Sequence, residues 1–242
     1  MAHAEPTPVP LIDLDPELAS SIPAEQVQNV RRAVLVTVET VSPGARRAAA
    51  LDGPSGFLVL EGLVLGRVAV AGALGAEPLG PGDIALPPTS ELDGGALATQ
   101  PSWSLAGTAR IAVFPETLPS VLARAPGLAH CFLERHHRQL ERARLLQAIV
   151  NVTRVDVRVL ALLWHLAGRW GRVTPQGVSV RLALTHRMLA ELVGARRPTV
   201  TTALGQLEER GALTRRPPDE WLLHGTPPQT GRPDELGVLA AS

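Results

Sequence analysis

Three textures of apolar and polar positions follow one another along the chain. From Ala33, Val34, Val36 and Val38 alternate with Leu35, Thr37 and Glu39, the period of two expected of a half-buried strand. Pro43-Gly44 stops that run. Phe57–Glu61, Leu63–Leu65 and Arg67–Ala71 follow as short strands split by glycine, and Pro81-Gly82-Asp83 reads as a turn. Ile84–Leu86, Trp103–Leu105 and Ala109–Phe114 complete the set. Short strands separated by regular turn signals predict a sandwich or barrel. Ahead of them, residues 1–10 are Pro-rich and read as loose, and Leu11–Gln28 as one or two short helices with Pro23 in a first turn.

The period changes at Pro115. Leu118, Leu122, Ala125, Ala129, Phe132, His136, Gln139, Ala143, Leu146 and Val150 follow a 4-3 spacing, one stripe of a coiled-coil-like helix. Pro126-Gly127 breaks it, so the unbroken helix is expected over about residues 127–151. A lone helix of this length needs a partner surface, and its own copy in a homodimer is the simplest, with packing on its own β domain as the alternative. On that reading His136 and Gln139 are polar seam residues that set register. Val155–Trp170 reads as a further helix ended by Gly171, and Val178–Leu182 as a short strand. Leu213–Arg215 and Trp221–His224 read as two strands around Pro217-Pro218-Asp219, and the tail from Thr226 as mobile.

Between them, Leu184 to Gly211 reads LTHRMLAELVGARRPTVTTALGQLEERG. Thr185 is a natural N-cap. Leu189, Leu192 and Val193 form the apolar side of a first helix, Ala190 permits a close crossing, and Gly194 sits at the turn. Pro198 suits the first turn of a second helix. Val200, Ala203, Leu204 and Leu207 then face inward, while Arg197, Pro198, Thr201, Thr202 and Gly205 share the opposite face. Arginine and hydroxyls at an exposed helix N-terminus suit entry into a major groove, where the helix dipole also favours phosphate.

Charge sharpens this division. The 242 residues are formally neutral. Yet residues 1–117 hold 6 Arg against 13 acids, and residues 151–225 hold 11 Arg against 6. Only the back of the chain is therefore expected to meet a polyanion. All 23 basic residues are Arg, which, with abundant Ala, Gly and Pro, reads as a GC-rich coding bias. The single Cys131 excludes an intramolecular disulfide framework and a multi-cysteine zinc or iron–sulfur site. Phe57–Ala76 is apolar enough to suggest a membrane span, but Glu61 and Arg67 inside it would each cost roughly 2.5–3.5 kcal/mol near a bilayer centre. Buried strands in a cytoplasmic protein without a signal peptide are the expectation.

These motifs resemble the Crp/Fnr superfamily of bacterial transcription regulators. FLVLEGLVLGRVAV followed by PLGPGDIAL looks like the family's β-roll sensor, the long helix like its dimerisation helix, and RVLALLWHLAGR like the helix opening its DNA-binding domain. The resemblance covers roughly residues 30–225. It implies an α+β fold: an N-terminal β-roll resembling a cyclic-nucleotide-binding jelly roll over 1–117, a dimerisation helix over 118–151, a winged helix-turn-helix over 152–225 and a flexible tail over 226–242. It also implies a homodimer on palindromic double-stranded DNA, with RNA polymerase as a further partner. An arginine just inside the recognition helix contacts guanine in the family, and Arg197 matches it. Pro198 stands where relatives often carry Glu, and Thr202 matches the second reading position. Arg196 and Thr199 match phosphate contacts. Thr185, His186 and Thr201 complete the expected DNA-binding set.

The sensor half departs from the family. Cyclic-nucleotide-binding relatives follow the Pro-Gly-Asp turn with Gly-Glu and an Arg, whereas here no Arg occurs between Arg67 and Arg110. A buried phosphate lacking a cation or amide nest is unfavourable, so no cyclic AMP binding is expected. No cofactor is expected either. His130, Cys131, His136 and His137 are the candidates for a metal, haem or redox role, with the seam and surface readings beside it. No histidine lies between His3 and His130, which argues against a cupin metalloenzyme, and there is no serine elbow or Walker loop. A regulator rather than an enzyme is expected, its effector unidentified. A ligand-independent DNA-binding protein with a scaffold-only β-roll, or a protein-interaction module, are the alternatives.

Overall fold

The computed structural model describes residues 7–43, 51, 55–87 and 100–228. The Pro-rich start over 1–6 and most of the tail, 229–242, lie outside them. The N-terminal half opens with β1 (Val9–Pro10), α1 (Leu11–Leu14), a 3-10 turn (Pro16–Ala19) and α2 (Ala24–Ala33). Strands β2 (Leu35–Val41), β3 (Phe57–Glu61), β4 (Val64–Val70), β5 (Ala73–Leu79), β6 (Ile84–Ala85), β7 (Gln100–Leu105) and β8 (Ala109–Val113) follow. They form two antiparallel sheets, ordered β1-β2-β8-β3-β6 and β5-β4-β7. Phe57, Val59, Val64, Leu79 and Ile111 fill the space between them, and Trp103 meets Phe57 edge-on with ring centroids 5.3 Å apart.

The outer face of the larger sheet is covered too. Leu58 and Ala112 pack with Leu11, Leu18, Leu128 and Phe132 from the helices around them. A sheet buried on both faces explains the unbroken apolar run Phe57–Leu60, which simple alternation would not produce. Two expected strands prove to be one. β4 runs through Gly66, because that glycine stays in the ladder as the seat of Trp103: a Cβ there would lie 3.1 Å from the indole. β5 has no counterpart in the sequence reading, since Gly72 and Gly75 masked its pattern.

Two further helices follow, α3 (Leu118–Leu122) and α4 (Pro126–Val150), the latter 25 residues and about 37 Å long. Its 4-3 stripe requires a correction. Phe132, Gln139 and Leu146 do not form a free seam. They are buried against the chain's own strands and helices, together with Leu128, Cys131, Arg135 and Ile149. Gln139 bonds both backbone groups of Ile84, donating to its carbonyl at 2.9 Å and accepting from its N–H at 3.2 Å. The free face lies alongside: Leu133, His136 and Leu140 are exposed, and Leu133 is 68% accessible.

The C-terminal part comprises α5 (Val155–Trp170), β9 (Gly171–Thr174), β10 (Gly177–Arg181), α6 (His186–Leu192), α7 (Arg197–Glu209), β11 (Leu213–Arg216) and β12 (Glu220–Leu223). Its sheet runs β11-β12-β10-β9. The core of α5, α6 and α7 is continuous with Leu63, Leu65 and Ala106 of the strands and with Leu146 and Ile149 of α4. Ion pairs cross the same junction. Arg67 donates to Glu191 at 2.5 Å, and Asp83 accepts from Arg142 at 2.6 Å and Arg169 at 2.5 Å.

Glu77 lies near that cluster. Burial raises its pKa, and the negative Asp83 adds to the shift against the opposing pull of Arg142 and Arg169. The folded chain therefore binds this proton more tightly than the unfolded chain does. Stability is lost as pH rises through the ordinary glutamate range and stays lost above the folded value. Glu77→Gln is expected to raise the urea midpoint at neutral pH, with the gain shrinking as pH falls through the raised folded value and gone below the ordinary glutamate range, about 4. An unchanged or lowered midpoint at neutral pH counts against this account.

Candidate nucleic-acid interface

The residues that orient the helix-turn-helix act locally. Thr185 caps α6, its hydroxyl accepting from the Met188 N–H at 3.2 Å. The turn passes through Gly194 at φ +60°, where a Cβ would also lie 2.9 Å from Val150 Cγ1. Arg158 of α5 donates to the carbonyls of Val193 (3.2 Å) and Gly194 (3.4 Å), satisfying acceptors the turn leaves open. At the other end of α7, Arg210 donates to Asp156 at 2.6 Å. The Arg154 hydrogen bond, then that of Arg210, holds the Asp156 carboxyl below the usual range despite burial.

Helix α7 packs inward with Val200, Ala203, Leu204 and Leu207. Arg196, Arg197, Pro198, Thr199, Thr201 and Thr202 are all exposed. No side chain caps the helix, so its first amides remain open to an anion. Among the described residues, neither Arg196 nor Arg197 forms a salt bridge, and nor does Arg215. Thr201 donates to the Arg197 carbonyl at 3.1 Å and Thr202 to that of Pro198 at 3.2 Å. Both hydroxyl hydrogens are thus committed to the helix, leaving each side chain to offer a methyl and an acceptor.

The expected residues converge on one end of one helix, with two qualifications. Thr185 already uses its oxygen in the cap. His186 touches two neighbours: Nδ1 lies 2.9 Å from Thr201 Oγ1, and Nε2 2.9 Å from an Arg215 nitrogen. Arg215 was not among the expected contacts. It starts the wing, stacks over Trp221 at 5.1 Å, and shares a cleft with His186 and Arg197. Its sequence signal was the Arg215-Arg216 pair entering the wing. The other candidates lie apart. Cys131 is buried beside Ser20, and among the described residues no cluster of His, Cys, Asp and Glu has the arrangement of a metal site.

A helix pair with an outward, basic second N-terminus, followed by a two-stranded wing, defines a winged helix-turn-helix. Residues 157–223 match the Crp-like helix-turn-helix domain family, and this segment is a domain of that type. Regulatory protein CysR of Synechococcus elongatus is 31% identical over 90 residues, which are 35% of this chain and 44% of CysR. The chain thus spans less than half the length of this curated relative. A CooA mutant from Carboxydothermus hydrogenoformans superposes with a TM-score of 0.59 at 20% identity, covering 78% of this chain and 83% of that one. FixK2 of Bradyrhizobium japonicum does so with 0.59 at 16%, covering 78% and 93%. The α+β fold of these two structures is therefore that of this chain, and the curated relative is by name a regulatory protein.

Proposed function

We propose that the protein is a sequence-specific DNA-binding transcription regulator acting as a homodimer. The uncapped, outward N-terminus of α7, with Arg196 and Arg197 unpaired among the described residues, carries this reading. Arg197 reads a guanine edge, Arg196 and Thr199 hold phosphate, and Thr202 and Thr201 meet neighbouring positions, flanked by Pro198, Thr185 and His186. The exposed stripe of Leu133, His136 and Leu140 supports pairing of two α4 helices. Such a dimer would present two recognition helices about 34 Å apart to a palindromic operator. Residues 1–117 then form the sensor-like domain, 118–151 the dimerisation helix and 152–225 the DNA-binding domain, in a non-enzymatic cytoplasmic protein that works with RNA polymerase. No described helix is long and apolar enough to cross a membrane.

A cavity of about 740 Å³ between the strands and α4 supports a small-molecule effector. Its walls are largely apolar, from Val68, Leu79, Ile84, Trp103 and Leu140. Among the described residues Arg67 is its one guanidinium and is engaged by Glu191, while Glu77 adds a carboxyl. That chemistry disfavours a cyclic nucleotide phosphate. The reading is tested by gel shift on genomic fragments, followed by titration of a bound fragment against salt. Affinity is expected to fall by about 10³–10⁵ between roughly 50 and 200 mM salt for about 6–10 phosphate contacts. Absence of any retarded fragment, or a salt-independent affinity, contradicts it.

A further inference from the structure

The contacts of His186 have a direction. A guanidinium only donates, so Nε2, which faces Arg215, is an acceptor and carries no proton. The ring's hydrogen then sits on Nδ1 and goes to Thr201 Oγ1, whose own hydrogen goes to the Arg197 carbonyl. One donor-to-acceptor chain thus runs from the wing, through the first residue of α6, to the first turn of α7. The link to Arg215 needs a neutral imidazole, whereas Nδ1–H donates to Thr201 in either protonation state. A protonated ring has no lone pair for Arg215 and places a second positive charge beside it.

We propose that neutral His186, anchored to Thr201 of the recognition helix, is a positioning residue that holds Arg215 beside that helix, so that base discrimination is lost when the ring takes a proton and releases Arg215. The proposal rests on the DNA-binding reading and adds pH control of that same surface. Discrimination falls, while general attraction to DNA does not, because the added charge favours phosphate irrespective of sequence.

The surroundings favour the neutral ring. Arg215 of β11 faces it directly, and Arg197 and Glu208 act on it from α7. Arg187 and Asp219 line the same cleft. Burial first, then Arg215 and Arg197, lower the His186 pKa, and Glu208 opposes them. The neutral ring, and with it the Arg215 link, is therefore favoured at neutral pH and is lost as pH falls.

The test selects a tight site from random DNA at about pH 8, at the top of the range in which histidine titrates, where the imidazole is neutral. Dissociation constants for that site and a scrambled one are then compared by fluorescence anisotropy at constant ionic strength, at about pH 8 and pH 5.5. For the natural chain the ratio of the two constants is expected to fall about tenfold at the lower pH, the size of one good base contact. His186→Gln supplies an acceptor and a donor that do not titrate, so its ratio should be high and flat. His186→Leu, with its fold checked by circular dichroism, should have a low ratio at both values. A flat ratio in the natural chain, or a Gln variant that follows pH as the natural chain does, overturns the proposal. A chain that binds no DNA removes the DNA-binding reading instead. Nitrogen-15 shifts of the imidazole then decide the hydrogen-bond chain: an Nδ1–H tautomer at neutral pH supports it, and Nε2–H overturns it.

Discussion

Arg197→Ala is expected to weaken binding to a selected operator by about 1–3 kcal/mol, roughly 5- to 150-fold, and to relax one base position in each half-site. The physical basis is the setting of this guanidinium. It stands at the first residue of α7, is exposed, and makes no ion pair among the described residues. Arg197 can therefore reach a guanine without first giving up a partner in the free protein. Its backbone carbonyl accepts from Thr201, which continues the regular first turn. Truncation to alanine removes the donor fork and leaves the helix in place, since alanine is a better helix former. A selection experiment on randomised half-sites with both proteins reads the outcome. Loss of affinity by the same factor on every sequence would make Arg197 a phosphate contact, and an unchanged operator affinity would remove it from the interface.

Asp83→Ala carries the largest expected effect on stability, about 3 kcal/mol. The carboxylate is nearly inaccessible and accepts from the Gly80 N–H at 2.9 Å as well as from Arg142 and Arg169. It thereby ties together the Pro81-Gly82 turn, α4 and α5. Removing it leaves two guanidinium groups without their anion and one buried amide without an acceptor. Both arginines retain some access to water, which places the loss toward the low end for a broken buried pair. The adjoining contact is equally tight: Trp170 lies over Gly80 so closely that a Cβ there would fall 2.1 Å from its ring. Asp83→Asn keeps an acceptor for the Gly80 amide while discharging the site, so it should lose less than alanine. Urea unfolding of the three proteins measures this. A change below about 1 kcal/mol for alanine would mean that the arginines find water or other partners at little cost.

Asp83 also shows where reading the chain runs out. Pro81-Gly82-Asp83 is visible as a turn, but its two arginine partners lie 59 and 86 residues away. Nothing in the local pattern selects them among 23. Arg215 and His186 are likewise separated by 29 residues, so their contact is decided by how the wing folds back on α6. The cavity is a similar case, because its lining draws on several strands and a helix at once.

What the sequence by itself determined is the helix-turn-helix: the Thr185 cap, the Gly194 turn, and the inward Val200, Ala203, Leu204 and Leu207 opposite an exposed Arg197. Caps, turns and helical periodicity act within a few residues, so their physics is written locally. Tertiary structure alone decided which side of α4 is free. A 25-residue helix in this chain presents two adjacent apolar stripes, and period shows that stripes exist but not what covers each. Here Ile84 at a short strand offers backbone groups to Gln139, and neighbouring apolar residues take in Phe132 and Leu146. Leu133 is left facing outward, and the exposed His136 and Leu140 border the cavity between α4 and the strands.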